Sequence, residues 1–423
     1  MNSNVIKTPF PRLIAGISIG SFGYNIAMVI PLAFLLTVKL AMLNPENVTI
    51  NFSIIGLATG ITGVFSQYLA GMISDRTTLA FGRRRPWILI GAIGAAAALY
   101  GVGTAKSFTI LLVFWLLAKI LLSFMLTATT AIIPDQVPEN KRGTASGIFG
   151  LIGPVAILVG LNLMFMLNSW SVENKFLLLG IISIISAIIT CVLVKEGKVE
   201  YQKERGQNNT LTFSEKMSRI YPSPKKYPSF TYGVLTRLFM GVAYTATSFT
   251  SVYYLEHFHV SQEALAGIVS TNSNITIPVL AVASIIGGAL SDKFGRQKPF
   301  VFLAAVITAI GIIGLGFAPS ISISYVCGAV ISLGFGMFLA VDMALMTRIL
   351  PHPEDAAKDM GIVNIAHDIG GSLANSTAGP IVAAGGYPVF FGVLAAFGIL
   401  AGVMVKPIPE MEREEFPKIN IAK

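Results

Sequence analysis

The feature that most constrains this chain is a series of apolar runs, each about as long as a helix must be to cross a bilayer. A hydrocarbon core of roughly 30 Å needs roughly 20 apolar residues in a helix. Such runs cover residues 11–38, 51–74, 87–104, 109–134, 144–167 and 175–195, then 229–254, 262–291, 299–318, 321–347, 359–382 and 387–406. Charged residues make up 12% of the chain, against about 25% in a soluble domain. That is too few to cover a surface facing water, so the main solvent is lipid. The about two to three soluble domains that length alone suggests do not apply. The first run, near Leu13 to Val38, is too long for a removable signal peptide. Cys191 and Cys327 lie far apart inside apolar runs and read as buried apolar thiols.

A net charge of +9 could indicate nucleic acid, but its distribution does not. Of 30 Lys and Arg, 25 fall at the two ends or in every second connection, including four from Arg76 to Arg85 and eight from Lys195 to Lys226. Lys39, Lys106 and Lys175 fall on the opposite side, and Lys119 and Arg237 lie inside runs. This asymmetry follows the positive-inside rule. It predicts a multi-pass cell-membrane protein with both termini cytoplasmic and an even number of crossings. The expected partners are the bilayer and a small-molecule solute, with no nucleic acid, and the expected state is a monomer. The expected domains are an amino-terminal six-helix bundle (1–195), a cytoplasmic linker (196–228), a carboxyl-terminal six-helix bundle (229–406) and a cytoplasmic tail (407–423).

The two halves repeat a motif. After the second run stand Gly71, Asp75 and Arg76, then Gly82, Arg83, Arg84, Arg85 and Pro86; after the eighth stand Gly288, Asp292 and Lys293, then Gly295, Arg296, Lys298 and Pro299. Glycine lets two helix ends approach. The aspartate can cap a helix or pair with an arginine, and proline starts the next helix. This doubled signature resembles the major facilitator superfamily over the whole chain, as does Pro138 to Gly147. The resemblance implies an all-α membrane protein with twelve transmembrane helices in two pseudo-symmetric bundles. Gly71, Asp75, Arg76, Arg83, Arg84, Gly288, Asp292 and Arg296 would then form its gating motif.

The longer stretch from Ser74 to Pro86, with Gln67, Phe114-Trp115, the segment around Asp342 and Ala356 to Ala366, resembles the sucrose-transporter branch of glycoside–cation symporters. That resemblance implies proton-coupled sugar import. Plant members of that branch carry an acid just after the Phe-Trp pair and an arginine about three turns later. Here Lys119 and Thr130 fall at or beside those positions.

Charges inside spanning helices cost about 2.5–3.5 kcal/mol each by insertion scales and usually face a cavity. Lys119 shares a helix face with Ser123, Thr127 and Thr130, a stripe suited either to an anion or to a structural pairing with a carboxylate. Arg237, Asp342, His367 and Asp368 fall at similar depth. One reading makes Asp368 or Asp342 the proton site, with His367 modulating it and Arg237 as counter-charge. The other is a fixed Arg237–Asp342 pair with His367 and Asp368 in a wet vestibule. Asn25, Tyr244, Ser248, Asn272 and Asn364 join Lys119, Ser123 and Thr127 as candidate solute-binding residues, because amides, hydroxyls and aromatics hold sugars.

The sequence has no Gly-rich phosphate loop ending in Lys-Ser/Thr, no His/Cys metal spacing and no catalytic triad in a supporting context. No enzyme activity, metal or cofactor is expected; a proton or cation gradient would drive transport. Gly150, Gly153 and Pro154 lack the following glycine pair of exporters. The expectation is a proton-coupled importer of a sugar-like solute. An organic-anion transporter and a drug or metabolite exporter stand as alternatives.

Overall fold

The computed structural model describes residues 8–79, 81–137, 141–197, 221–351 and 356–409. Among them there are helices and connections and no strand. Most of the expected linker, and residues 410–423 of the expected tail, lie outside the described residues. Helix α1 (Phe10–Ile30) runs through a π turn (Pro31–Leu35) into α2 (Leu36–Leu43). Pro31 has no amide hydrogen to donate, and a widened turn accommodates that loss. Then follow α3 (Val48–Asp75), α4 (Arg85–Thr104), α5 (Phe108–Gln136), α6 (Arg142–Met166) and α7 (Val172–Leu193). After the linker come α8 (Pro228–Tyr244), α9 (Thr250–Glu256), α10 (Gln262–Phe294), α11 (Lys298–Gly316), α12 (Ile321–Arg348) and α13 (Ala356–Met404). Ser107, Ser171 and Ser320 cap α5, α7 and α12 by accepting a backbone amide in the first turn.

Ten of these helical stretches are long and apolar enough to cross a membrane. One of them, Ile365–Met404, is about 60 Å long at 1.5 Å per residue, enough for two crossings. Its backbone leaves helical geometry at Gly386, where φ is 72°. With α8–α9 as a broken crossing, twelve spans fit.

The seventh span departs from expectation. Residues 229–254 were expected as one helix. Instead α8 ends at Tyr244, a single 3-10 turn covers Thr245–Thr247, and α9 begins at Thr250. The Thr245 hydroxyl donates to the Gly241 carbonyl at 3.0 Å, and the Thr250 hydroxyl to the Thr247 carbonyl at 2.9 Å. Threonines that bond to the backbone in this way compete with the regular helix ladder.

By packing, the chain forms two units. Unit 1 comprises residues 1–209, 247–277 and 372–387, and unit 2 comprises 210–246, 278–371 and 388–423. In unit 1, α4 packs on α5 and α7, α1 on α6 and α7, and α3 on α5. In unit 2 the closest pairing is α11 with α12, where a side chain on Gly334 would strike the Ala304 carbonyl at 2.6 Å. Without hydrophobic drive between helices in lipid, small residues at such crossings permit the close packing that holds them.

Candidate functional site

In unit 1 the connection after α3 is an ion-pair hub. Arg84 is 4% exposed. Its guanidinium meets Asp75 at 2.6 Å and Asp135 at 2.9 Å, and donates to the Ser74 hydroxyl at 2.9 Å. Arg83 adds a second bond to Asp135 at 2.7 Å. The Glu196 carboxylate accepts the Arg84 and Arg85 backbone amides at 2.9 and 3.2 Å. Asp75 therefore takes the pairing role expected of it, whereas Arg76 is exposed and Asp135 and Glu196 complete the hub. Gly82, with φ 119°, and Gly295, with φ 65°, hold corresponding places in the two copies of the motif. Both sit in the left-handed region that favours glycine. In unit 2, the Ser291 hydroxyl donates to the Arg296 carbonyl at 3.3 Å. Arg296 itself is exposed and Gly288 lies against Ala340. The side chain of Asp292 lies outside the described residues.

Lys119 lies mid-way along α5 and is 8% exposed. It stands between two hydrogen bonds from α5 to α3. Trp115 Nε1 donates to the Thr59 hydroxyl at 2.8 Å, and the Ser66 hydroxyl donates to Ser123 Oγ at 2.8 Å. Between them, Gly63 leaves room for the lysine: a side chain there would come within 3.0 Å of Lys119 Cε. Both readings weighed for Lys119, an anion subsite and a structural pairing, remain open at this position. Ser123 is occupied by Ser66 and by the Lys119 carbonyl. Thr127 faces Gly71 at 3.8 Å. Asn25 donates to the Ser21 carbonyl at 2.8 Å, and its own carbonyl oxygen faces Gly153 at 3.6 Å. Asn272 Oδ1 is buried without a hydrogen bond among the described residues.

In unit 2, α8, α12 and α13 bring together three of the four intramembrane charges. Arg237 Nε donates to Asp342 Oδ2. Asp342 is fully buried, and its Oδ1 has no hydrogen-bond partner among the described residues. His367 lies beside Arg237, because Gly241 on α8 lets the His367 backbone approach; a side chain there would come within 2.3 Å of the His367 carbonyl. The imidazole stacks near Phe335 at 6.3 Å, and Phe335 stacks on Tyr244 at 3.5 Å. Asp368 is on an exposed side of α13, and Ser248 is exposed in the α8–α9 break. The side chain of Asn364 lies outside the described residues.

Sequence reasoning missed a cluster in unit 1. Glu256, at the end of α9, accepts the Thr49 backbone amide at 3.0 Å, the Thr49 hydroxyl at 2.5 Å and the Tyr387 hydroxyl at 2.8 Å. It thereby caps the first turn of α3 from 207 residues away. Also missed was an amide cluster in which Asn162 accepts from Ser270 at 3.0 Å and donates to Asn274 at 2.8 Å. An acid closing an apolar run and an asparagine inside one were the available signals.

The duplicated loop motif, the helical spans and the charges buried inside them are features of a multi-pass membrane protein. The chain belongs to the Major Facilitator Superfamily, whose sequence profile matches residues 13–279 and 238–420. Its fold is similar to that of a D-xylose–proton symporter, with a TM-score of 0.72 at 16% identity over 95% of this chain and 98% of that one. A nucleoside transporter is similar with a TM-score of 0.70 at 12% identity, over 94% and 99%. In sequence, the chain is 20% identical to a lactose permease of Lactobacillus delbrueckii subsp. bulgaricus over 84% of this chain and 60% of the permease. It is 26% identical to a general alpha-glucoside permease of Schizosaccharomyces pombe over 36% of this chain and 32% of the permease. A 78-residue stretch is 38% identical to human proton-associated sugar transporter A, over 18% and 10%. The chain thus spans between a tenth and three-fifths of the length of these relatives.

Proposed function

We propose that this protein is a secondary active transporter that imports a sugar- or glycoside-like solute together with a proton, by alternating access. The names of the relatives support the solute class. The fully buried Asp342, compensated on one oxygen by Arg237, carries the coupling reading. A proton on Asp342 cancels its charge and frees Arg237, so the α8–α12 contact exists in one protonation state and is lost in the other. Leaving either charge alone in that setting is strongly unfavourable, which ties proton movement to helix movement. His367 adjoins the pair and gives the proton a route. The distribution of bases supports cytoplasmic termini in a cell membrane. No cofactor is needed, because the gradient supplies the work.

The test is uptake into proteoliposomes of the purified protein. Asp342→Asn should reduce accumulation driven by a pH gradient at least about tenfold while leaving solute exchange at equal pH. If Asp342→Asn and Asp368→Asn each leave pH-driven accumulation intact, proton coupling at this cluster is refuted.

A further inference from the structure

We infer that unit 2 carries an anion site at the start of α11, built to hold a phosphate group, either that of an anionic lipid headgroup or a free phosphate. Its place is marked by carboxylates that the first half of the chain has and the second half lacks.

In unit 1 the start of α4 is closed by the chain's own acids. Glu196, three residues past the end of α7, accepts the backbone amides of Arg84 and Arg85 at 2.9 and 3.2 Å. Asp135, near the end of α5, accepts Arg83 and Arg84. The second copy of the loop aligns with the first residue for residue, 295–299 on 82–86. Past the ends of α7 and α13, residues 192–196 read Val-Leu-Val-Lys-Glu and residues 403–407 read Val-Met-Val-Lys-Pro. Pro407 therefore stands where the first half has Glu196. Arg348, the last residue of α12, precedes Pro351 by three, as Asp135 precedes Pro138. At these positions unit 1 sets Asp75, Asp135 and Glu196 against Arg83, Arg84 and Arg85. Unit 2 keeps Asp292 alone against Arg296, Lys298 and Arg348. The exchange leaves an excess of positive charge that matches a phosphate, which carries about −1.5 to −2.

The vacated position is a cleft. Gly295, Gln297 and Lys298 line it from the loop and the first turn of α11, Leu345 and Arg348 from α12, and Pro409 from the chain beyond α13. The chain past the last helix thus reaches the start of α11, as Glu196 reaches the start of α4. Gln297 is 6% exposed, yet its side chain makes no hydrogen bond among the described residues and does not cap α11. Among the same residues Lys298 and Arg348 have no ion-pair partner, and the backbone amides of Gln297 and Lys298 have no acceptor. Two amides at a helix start, a carboxamide, an ammonium and a guanidinium offer more donors than a carboxylate takes up, and suit the fuller set of oxygens on a phosphate.

The experiment is a thermal-shift titration of the purified full chain in micelles at fixed ionic strength, with inorganic phosphate and with phosphatidic acid, because a ligand bound to the folded state raises its melting temperature. At least one of the two should stabilise the parent, and Arg348→Gln should need about 10- to 100-fold more of it, as expected for loss of a charge-assisted bond. Pro407→Glu restores the carboxylate of the first half, so it should melt above the parent without ligand and respond to neither probe. Lys225→Gln removes an exposed base outside the cleft and should respond as the parent does. Stabilisation by phosphatidic acid but not by inorganic phosphate makes the occupant a lipid headgroup; stabilisation by inorganic phosphate makes it a free phosphate. The inference is overturned if neither probe stabilises the parent, if the response persists undiminished in Arg348→Gln or Pro407→Glu, or if Lys225→Gln loses it equally. It is also overturned if a response appears only after residues 410–423 are removed, because the chain then fills the cleft with an acid of its own, of which Glu410 is the first beyond Pro407. Melting of ligand-free Arg348→Gln within a few degrees of the parent shows that it folds.

Discussion

Replacing Glu256 with Gln should loosen three distant segments at once. The carboxylate takes donors from Thr49 N at 3.0 Å, Thr49 Oγ1 at 2.5 Å and Tyr387 Oη at 2.8 Å. Hydrogen bonds to a charged group contribute about 1.5–3 kcal/mol each, and neutral ones about 0.5–1.5 kcal/mol. Glutamine keeps one acceptor oxygen and turns its amide donors toward groups that also donate. The change therefore costs about 1 kcal/mol per bond, plus about 0.3–1 kcal/mol for losing a negative charge at the start of α3. Partial exposure of Glu256 screens some of this, which leaves an expected loss of about 2–3 kcal/mol. The assay is denaturant unfolding in mixed micelles followed by tryptophan fluorescence. All three tryptophans, Trp87, Trp115 and Trp170, lie in the same unit as the cluster. Tyr387→Phe removes the hydroxyl that bonds Glu256 at 2.8 Å and lies 3.0 Å from Thr49 Oγ1, and should cost about 1–2 kcal/mol. The double variant should fall short of the sum by about 1 kcal/mol, because the two residues share that bond. If Glu256→Gln stays within about 0.5 kcal/mol of the parent, or adds fully to Tyr387→Phe, the cluster does not hold these segments together.

The same unfolding assay checks three further expectations. Arg84→Lys keeps the charge but loses the planar fork that serves Asp75, Asp135 and Ser74 together, and should cost about 2 kcal/mol; a lysine variant as stable as the parent would contradict the hub. Gly82→Ala meets both a φ of 119° and a contact of 2.3 Å with Glu196 Oε2, so about 2 kcal/mol is expected to be lost, and an unchanged midpoint would show that the turn relaxes freely. Gly241→Ala drives a methyl to within 2.3 Å of the His367 carbonyl, a backbone atom that cannot rotate away. It should cost about 3 kcal/mol by overpacking and should also weaken pH-driven uptake, and a variant altered in neither respect would refute the close α8–α13 approach.

What the sequence made legible divides by range. Hydrophobic length and loop charge are local properties, and they located the spans, the duplicated loop motif and each charge embedded in a run. The break of α8 from α9 was harder to see. The segment Tyr244 to Ser251 is rich in threonine and serine but remains apolar enough to read as one helix, and the hydroxyl-to-carbonyl bonds of Thr245 and Thr250 accompany the break. Arg237 and Asp342 stood out because each is a charge where lipid forbids one, and depth alone brought them together. Asp135 drew no such notice, since an acid near a helix end needs no explanation until Arg83 and Arg84 are found on it.

Lys119 and Glu256 set out the same distinction in opposite ways. Lys119 is conspicuous in sequence because it is a base in the middle of an apolar run, and the structure buries it against Gly63 of α3. Glu256 is inconspicuous because it closes a run, yet it gathers Thr49 from 207 residues upstream and Tyr387 from 131 downstream. A charge that is satisfied within the chain spends its interaction on structure, as Glu256 does in capping α3. A charge that is left unsatisfied at membrane depth is costly to the folded protein alone.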